Sequence, residues 1–156
     1  MRRLLSPVLA VALFALSACD DSVVAPVTVE GTAFASSLNV NLAASTKLTN
    51  GLYYRDITVG TGTAAAATNA ISVYYVGSLA NGNVFDSKSV GTAALNFTLG
   101  AGAVIPGWDQ GLVGLKVGGR RQLIIPPSLG YGTAGSGDRI PPNAVLVFTV
   151  DLVSIP

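Results

Sequence analysis

Apolar side chains recur at every second position through much of this chain. Ile71, Val73, Tyr75 and Leu79 share one face of a run in which Ser72, Tyr74 and Ser78 take the other. Leu95, Phe97 and Leu99 likewise alternate with Asn96 and Thr98. A period of two is the mark of a half-buried strand. Between these runs, Asn81-Gly82 is the strongest short hairpin signal, because a type I′ turn needs two residues at positive φ, and residues 84–86 return from it. Residues 52–57 read as an earlier strand, residues 64–67 as a loop of small side chains, and residues 121–125 as a strand stopped by Pro126-Pro127. A last strand over residues 144–155 carries Leu146, Phe148, Val150 and Leu152 on one side.

The period changes once. Pro106 suits the first position of a helix, where its missing N–H leaves nothing unsatisfied, and Asp109 in the first turn suits the helix dipole. Trp108, Leu112 and Leu115 stand at i, i+4 and i+7, on one face, and Gly114 is placed to close a helix of about two turns. One short helix against several antiparallel strands is an α+β fold.

Composition narrows the chemistry. Half of the 156 residues are hydrophobic and 11% are charged, which supplies a core, while 18 Gly and 8 Pro favour a turn-rich sheet protein over a helix bundle. Charges nearly cancel, so no nucleic acid or anionic surface is expected as partner. The chain has no His and a single Cys. Ser-His-Asp and Cys-His nucleophilic sites, and zinc sites built from His or Cys, are excluded on that ground; no metal and no cofactor is expected.

The amino terminus reads as an export signal rather than fold. Arg2 and Arg3 precede an apolar run over residues 8–16 that is too short to span a bilayer. Leu16-Ser17-Ala18-Cys19 resembles a bacterial lipobox, in which Cys19 becomes the acylated first residue. The alternative is ordinary secretory cleavage, but a cut before Cys19 puts Leu16 three positions upstream, where ordinary cleavage wants a small side chain. The expected organisation is a lipoprotein signal peptide over residues 1–18, a lipid-anchored tether and extension over 19–50, and the domain over 51–156. Residues 20–37, with no sustained period, are expected to be largely disordered, and residues 38–50 are left open between loose docking and disorder. Loss of residues 1–18 takes two of nine basic residues, leaving seven against eight acidic, and no thiol for a disulfide.

Several motifs then stand in order: Val73-Tyr74-Tyr75-Val76-Gly77 with Phe85-Asp86-Ser87, Val104-Ile105-Pro106-Gly107-Trp108, Gly118-Gly119-Arg120-Arg121, Leu129-Gly130-Tyr131-Gly132 and Ile140-Pro141-Pro142-Asn143. In order and spacing they resemble the FKBP-type peptidyl-prolyl cis-trans isomerases, over residues 51–155. The resemblance implies an antiparallel sheet of about five strands wrapped around the Trp108 helix, with a pocket between them. In that pocket Trp108 resembles the indole floor beneath the substrate prolyl ring. Tyr75, Phe85, Phe97 and Phe148 resemble aromatic walls, with Val104 and Ile105 beside them. The Tyr131 hydroxyl and the Ile105 backbone N–H would donate to substrate carbonyls, Asp86 would bond the Tyr75 hydroxyl, and Ile140 would form the lip of a loop closing over the ring.

Packing alone accounts for some of these residues. A single Trp on an apolar helix face is ordinarily core, and Phe97 and Phe148 serve packing as well as any wall. A Tyr between two glycines is poorly explained that way. The pair Arg120-Arg121 reads as a solvated strand start. Many family members carry a Phe where this chain has Leu95, which implies one thinner wall, and residues 133–139 vary widely in the family; both bear on peptide preference and macrolide affinity. The implied activity is rotation about X-Pro bonds in exported polypeptide clients, without proton transfer, nucleophile or metal, with a non-catalytic binding module of the same fold as the alternative. A monomer on the periplasmic face of a bacterial membrane is the expected setting, since no long amphipathic helix offers a dimerisation arm.

Overall fold

The computed structural model describes residues 26–156; the export signal and Cys19 lie outside them. Seven strands form one antiparallel sheet: β1 (Thr46–Lys47), β2 (Tyr53–Thr58), β3 (Ala70–Leu79), β4 (Val84–Lys88), β5 (Leu95–Thr98), β6 (Arg120–Ile125) and β7 (Leu146–Ser154). Their order is β1-β2-β6-β7-β3-β4, with β5 also paired to β3. Strands β4 and β5 share one edge of β3, β4 along residues 75–78 and β5 along 70–73. The sheet is therefore five positions wide, plus the two-residue β1, which reconciles seven strands with the expected five. The helix α1, Pro106–Gly111, lies against β6 on the concave face. The α+β architecture expected from the periodicity is the one observed.

Alternation sorts the two faces of the sheet. Ile71, Val73, Tyr75, Leu123, Ile125, Leu146, Phe148, Val150 and Leu152 point toward α1 and form the main core with Leu52, Leu99, Trp108, Leu112 and Leu115. A register shift between Gly77 and Ser78 interrupts the alternation in β3, so Ser78 is buried beside a buried Gly77. Gly107 and Gly111 let the helix approach β6. A Cβ on Gly107 would stand 2.5 Å from Ile125 Cγ2, and one on Gly111 2.8 Å from Leu123 Cδ2.

Three expectations are corrected. First, residues 26–37 are not a disordered tether. From Pro26 the chain runs as a strap over the outer face of the sheet, where Val29 is buried with Tyr53, Ile124, Val145 and Val147, and Phe34, Leu38, Val40 and Leu42 pack onto the same cluster. The strap is fastened by hydrogen bonds from Ala35 N–H to the Ala80 carbonyl (2.8 Å), from Gln122 Nε2 to the Leu38 carbonyl (2.7 Å) and from Arg55 to the Asn39 carbonyl (2.8 Å). Its apolar residues follow a curved path across strands, which neither a period of 2 nor one of 3.6 describes.

Second, α1 stops at Gly111 rather than at Gly114. Leu115 N–H turns back to the Leu112 carbonyl, and Gly114, at φ +81°, donates to the Ala65 carbonyl instead. Third, Arg121 is not solvated. It is 4% exposed, pairs through two hydrogen bonds with Asp56 (2.6 and 3.1 Å), donates to the carbonyls of Gly111 and Val113, and lies over the Tyr54 ring. The guanidinium takes the carbonyls that a longer helix would have used itself. Arg120 pairs with Asp151 on the outer face.

The strap has a titratable fastening. Glu30 accepts from Lys47 and from the Tyr53 hydroxyl (2.7 Å), which together hold its carboxyl at about 2, below the usual carboxylate range. A carboxyl with a depressed folded pKa stabilises the fold above its unfolded value of 4.5, and that contribution is lost as pH falls toward about 2. Glu30→Gln is therefore expected to lower the melting temperature slightly at neutral pH, by an amount that shrinks below the unfolded value of 4.5 and vanishes only below about pH 2. An unchanged difference between the two proteins across that range, measured by thermal melts, would show that Glu30 holds nothing.

Candidate functional site

The concave face of the sheet opens beside α1 into a cavity of about 180 Å³ lined by Tyr75, Phe85, Asp86, Leu95, Ala103, Val104, Ile105, Trp108, Tyr131 and Phe148. Each wall comes from a different element. Tyr75 stands on β3, Phe85 and Asp86 on β4, Phe148 on β7 and Trp108 on α1. The Trp108 indole is the hub: Tyr75 and Phe148 meet it edge-on at ring centroid distances of 5.0 and 5.2 Å, and Phe85 meets Phe148 edge-on at 5.5 Å. Edge-to-face aromatic pairs contribute about 0.5–1.5 kcal/mol each beyond their buried area. The indole Nε1–H is buried without a hydrogen-bond partner among the described residues.

Polar groups are few and placed at the edge. The Tyr75 hydroxyl donates to Asp86 Oδ2 at 2.6 Å. Burial, and then this bond, push the Tyr75 phenol well above its ordinary value, so it stays neutral at any pH where the protein works. Tyr131 is 38% exposed on the loop after the turn Pro127–Leu129. Its hydroxyl engages no protein partner among the described residues, and neither does the Ile105 N–H. Ile105 is extended (φ −60°, ψ 146°), as the following Pro106 favours.

Of the residues singled out from sequence, Tyr75, Phe85, Asp86, Val104, Ile105, Trp108, Tyr131 and Phe148 come together around the cavity. Phe97 and Ile140 do not line it. Phe97 packs against Trp108 with its ring tilted (5.8 Å between centroids). Ile140 is buried in the core, where it exchanges backbone hydrogen bonds with Ser136 (2.8 and 3.1 Å) and pins the base of the loop. Leu95 and Ala103 are on the wall. Ala103 lacked any signal beyond its place before Val104.

Asp109 was expected only as a dipole partner. It does more, accepting from Gly100 N–H (2.8 Å) and Gly102 N–H (3.0 Å) and so folding the loop that presents Ala103, Val104 and Ile105. Gly77 was likewise read only as part of a motif. A Cβ there would stand 2.6 Å from Phe148 Cε1 and 2.9 Å from Phe85 Cζ, so its bare backbone is what lets two aromatic walls close on β3.

An antiparallel sheet with one short α-helix among the described residues, and an aromatic cleft beside that helix, define an α+β domain. Residues 61–153 match the model of the FKBP-type peptidyl-prolyl cis-trans isomerases, and the chain belongs to that family. It is 46% identical over 105 residues to the FK506-binding protein of Neisseria meningitidis serogroup B, covering 67% of this chain and 96% of that one. To FK506-binding protein 2 of Yarrowia lipolytica it is 52% identical over 87 residues, covering 56% of this chain and 60% of the relative. It spans 28% of FK506-binding protein 4 of Rhizopus delemar, so some relatives are far longer than the matched domain. Among solved structures, AtFKBP13 superposes with a TM-score of 0.67 at 39% identity, over 72% of this chain and 98% of the other. FkpA from Escherichia coli superposes with 0.65 at 39% identity, over 72% and 51%.

Gly77→Ala is expected to destabilise the fold by about 1–3 kcal/mol, the usual range for overpacking, and to push the Phe148 ring into the cavity. Denaturant melts check the first effect and the near-ultraviolet spectrum of the aromatic cluster the second. A variant as stable as the parent, with an unaltered spectrum, would mean the walls have slack.

Proposed function

We propose that this protein is a peptidyl-prolyl cis-trans isomerase that accelerates X-Pro rotation in exported polypeptides, working as a monomer held by lipid on Cys19 at the periplasmic face of a bacterial membrane. The observation that carries the enzymatic part is the cleft itself. A cavity of about 180 Å³ walled by Tyr75, Phe85, Trp108 and Phe148 has room for a prolyl ring, and its rim holds two donors with no protein partner, the Ile105 N–H and the Tyr131 hydroxyl.

Rotation about a peptide bond is opposed by a barrier of about 18–20 kcal/mol, because amide resonance is lost on twisting. The planar amide is the more dipolar of the two states. Apolar walls therefore favour the twisted amide over the planar one relative to water, which is differential binding of the transition state. Trp108 carries the ring, the Ile105 N–H and the Tyr131 hydroxyl hold carbonyls on either side of the bond, and Asp86 fixes the Tyr75 wall. No bond is made or broken and no proton is transferred. Binding of a macrolide of the kind named for the FK506-binding relatives uses the same cleft.

Anchoring is supported by the order Leu16-Ser17-Ala18-Cys19 after a short apolar run. Among the described residues no helix is long and apolar enough to cross a membrane. One acyl chain binds a bilayer only marginally, so stable attachment calls for more than one on the mature terminus.

The catalytic reading is tested with a protease-coupled proline tetrapeptide assay on the purified protein. Tyr131→Phe removes one donor and is expected to slow turnover about 2–10-fold, the worth of one modest hydrogen bond. Trp108→Phe, which keeps an aromatic ring in the core, is expected to slow it at least as much. Turnover is expected to stay flat between about pH 6 and 8, because the groups around the cleft are carboxylates and phenols. A bell-shaped profile near neutrality, or two variants at parental rates, would refute the assignment. Macrolide binding without any acceleration would instead identify the non-catalytic module.

Anchoring and assembly are read separately. Radiolabelled palmitate is expected in the full chain expressed in an exporting bacterium and not in Cys19→Ser, which moves to the soluble fraction. Label retained by the variant would remove Cys19 as the lipid site. Sedimentation of the variant at micromolar concentration is expected to give the monomer mass, and a dimer would overturn that part.

A further inference from the structure

The face of the sheet opposite the cleft carries a second groove, of about 460 Å³, which neither the strap nor any other described segment fills. Its floor is two adjacent rows of outward side chains running across the strands. Pairing registers align Arg55 of β2 with Gln122 of β6, Gln122 with Thr149 of β7, and Thr149 with Val76 of β3. The neighbouring row passes from Val147 through Ser78 to Val84 on β4. With neighbouring strands about 4.8 Å apart, four spacings from β2 to β4 give a trough about 19 Å long. Strap residues Ser37, Leu38 and Asn39 form one bank.

Two features make the trough more than a gap. Three of its apolar members are open to solvent, with Ile57 48%, Val76 41% and Val84 59% exposed, while Val147 on the floor is buried beneath the strap. At one end stands a cation without a counter-charge. Arg55 donates to the Asn39 carbonyl at 2.8 Å and lies 3.4 Å from Gln122 Oε1, but it faces no carboxylate among the described residues, and its Nε–H is buried without a partner. Lys47, Arg120 and Arg121 have an acidic partner, and the other described cations without one, Lys88, Lys116 and Arg139, are exposed, whereas Arg55 is half-buried. A half-buried guanidinium left unpaired is unfavourable, and a carboxylate arriving with apolar neighbours would both pair it and cover the valines.

We propose that this trough is a second polypeptide-binding site, taking a segment that combines an acidic side chain, set against Arg55, with apolar side chains set against Ile57, Val76 and Val84. It lies on the far side of the sheet from the aromatic cleft and needs no proline in its ligand. It is independent of the catalytic reading.

The probe is a fluorescein-labelled ten-residue peptide of alternating Leu and Glu, without proline, titrated into the purified protein and followed by anisotropy. Its Leu–Lys counterpart is expected to bind at least tenfold more weakly. Val76→Asp, at an exposed position outside the cleft, is expected to weaken the Leu–Glu peptide at least tenfold while leaving the tetrapeptide isomerase rate unchanged. Arg55→Gln is expected to weaken Leu–Glu but not a Leu–Gln peptide, and an excess of proline tetrapeptide is expected to displace neither. Equal binding of Leu–Glu and Leu–Lys, or full affinity in Val76→Asp, would overturn the proposal. So would a dimer that Val76→Asp dissolves, since the occupant would then be a second copy of this chain.

Discussion

The structure depends on how closely α1 lies against β6. A helix carrying ordinary side chains at positions 107 and 111 would have to stand off from Ile125 and Leu123, since a Cβ at either place falls within 2.8 Å of a buried branched side chain. With glycine at both, the backbone settles onto the strand and the Trp108 indole reaches the concave face between Tyr75 and Phe148. Both ends of the helix are then tied to groups outside it. Asp109 gathers the amides of Gly100 and Gly102 at the entrance, and Arg121, anchored by Asp56, gathers the carbonyls of Gly111 and Val113 at the exit. A six-residue helix is far too short to be stable alone. Here its position is fixed by what it touches.

The same sheet is used on both faces, and alternation along β7 shows how. Val147 belongs to the cluster under the strap, Phe148 to the aromatic wall, and Thr149 to the outer trough. The strap is part of this arrangement rather than an attachment to it. Without Val29, Phe34, Leu38, Val40 and Leu42, the outer side chains of Ile124, Val145 and Val147 would meet water. An exposed apolar area of that kind is an aggregation liability. The strap thus removes from solvent the back of the strands whose front faces build the cleft.

Legibility in the sequence followed the range of the interactions. The strands, with Phe148 on the last of them, were readable because alternation is a local signal. So was the place of the hairpin, although only Gly82 of Asn81-Gly82 takes a positive φ and the turn is not type I′. Tyr75, Phe85, Asp86, Trp108 and Tyr131 were readable because their motifs hold in order. The strap was not, since its apolar residues are spaced to fit a surface made mostly by residues more than eighty positions away, as the Gln122–Leu38 hydrogen bond illustrates. Arg121 looked solvated for the same reason: its partners, Asp56 and the end of α1, are distant in sequence or depend on where the helix stops. Phe97 and Ile140 shared the family pattern with the wall residues, but pattern cannot distinguish a side chain that lines the cavity from one that packs beside it.

That distinction matters for a site whose means are shape and polarity rather than reactive groups. Where a nucleophile or a general base performs the chemistry, small errors in the surrounding walls are tolerated if the reacting atoms still meet. Where the walls themselves prefer one amide geometry over another, the preference survives only if they are held to about 0.5 Å. Tyr75, Phe85, Trp108 and Phe148 come from four elements, so none of them is held by its neighbours in sequence. Their precision comes from contacts that permit no slack: bare backbone at Gly77 under two rings, glycines where α1 meets β6, a phenol locked to Asp86 and a loop folded on Asp109. The residues that set the quality of the cleft are thus largely those with no side chain in it.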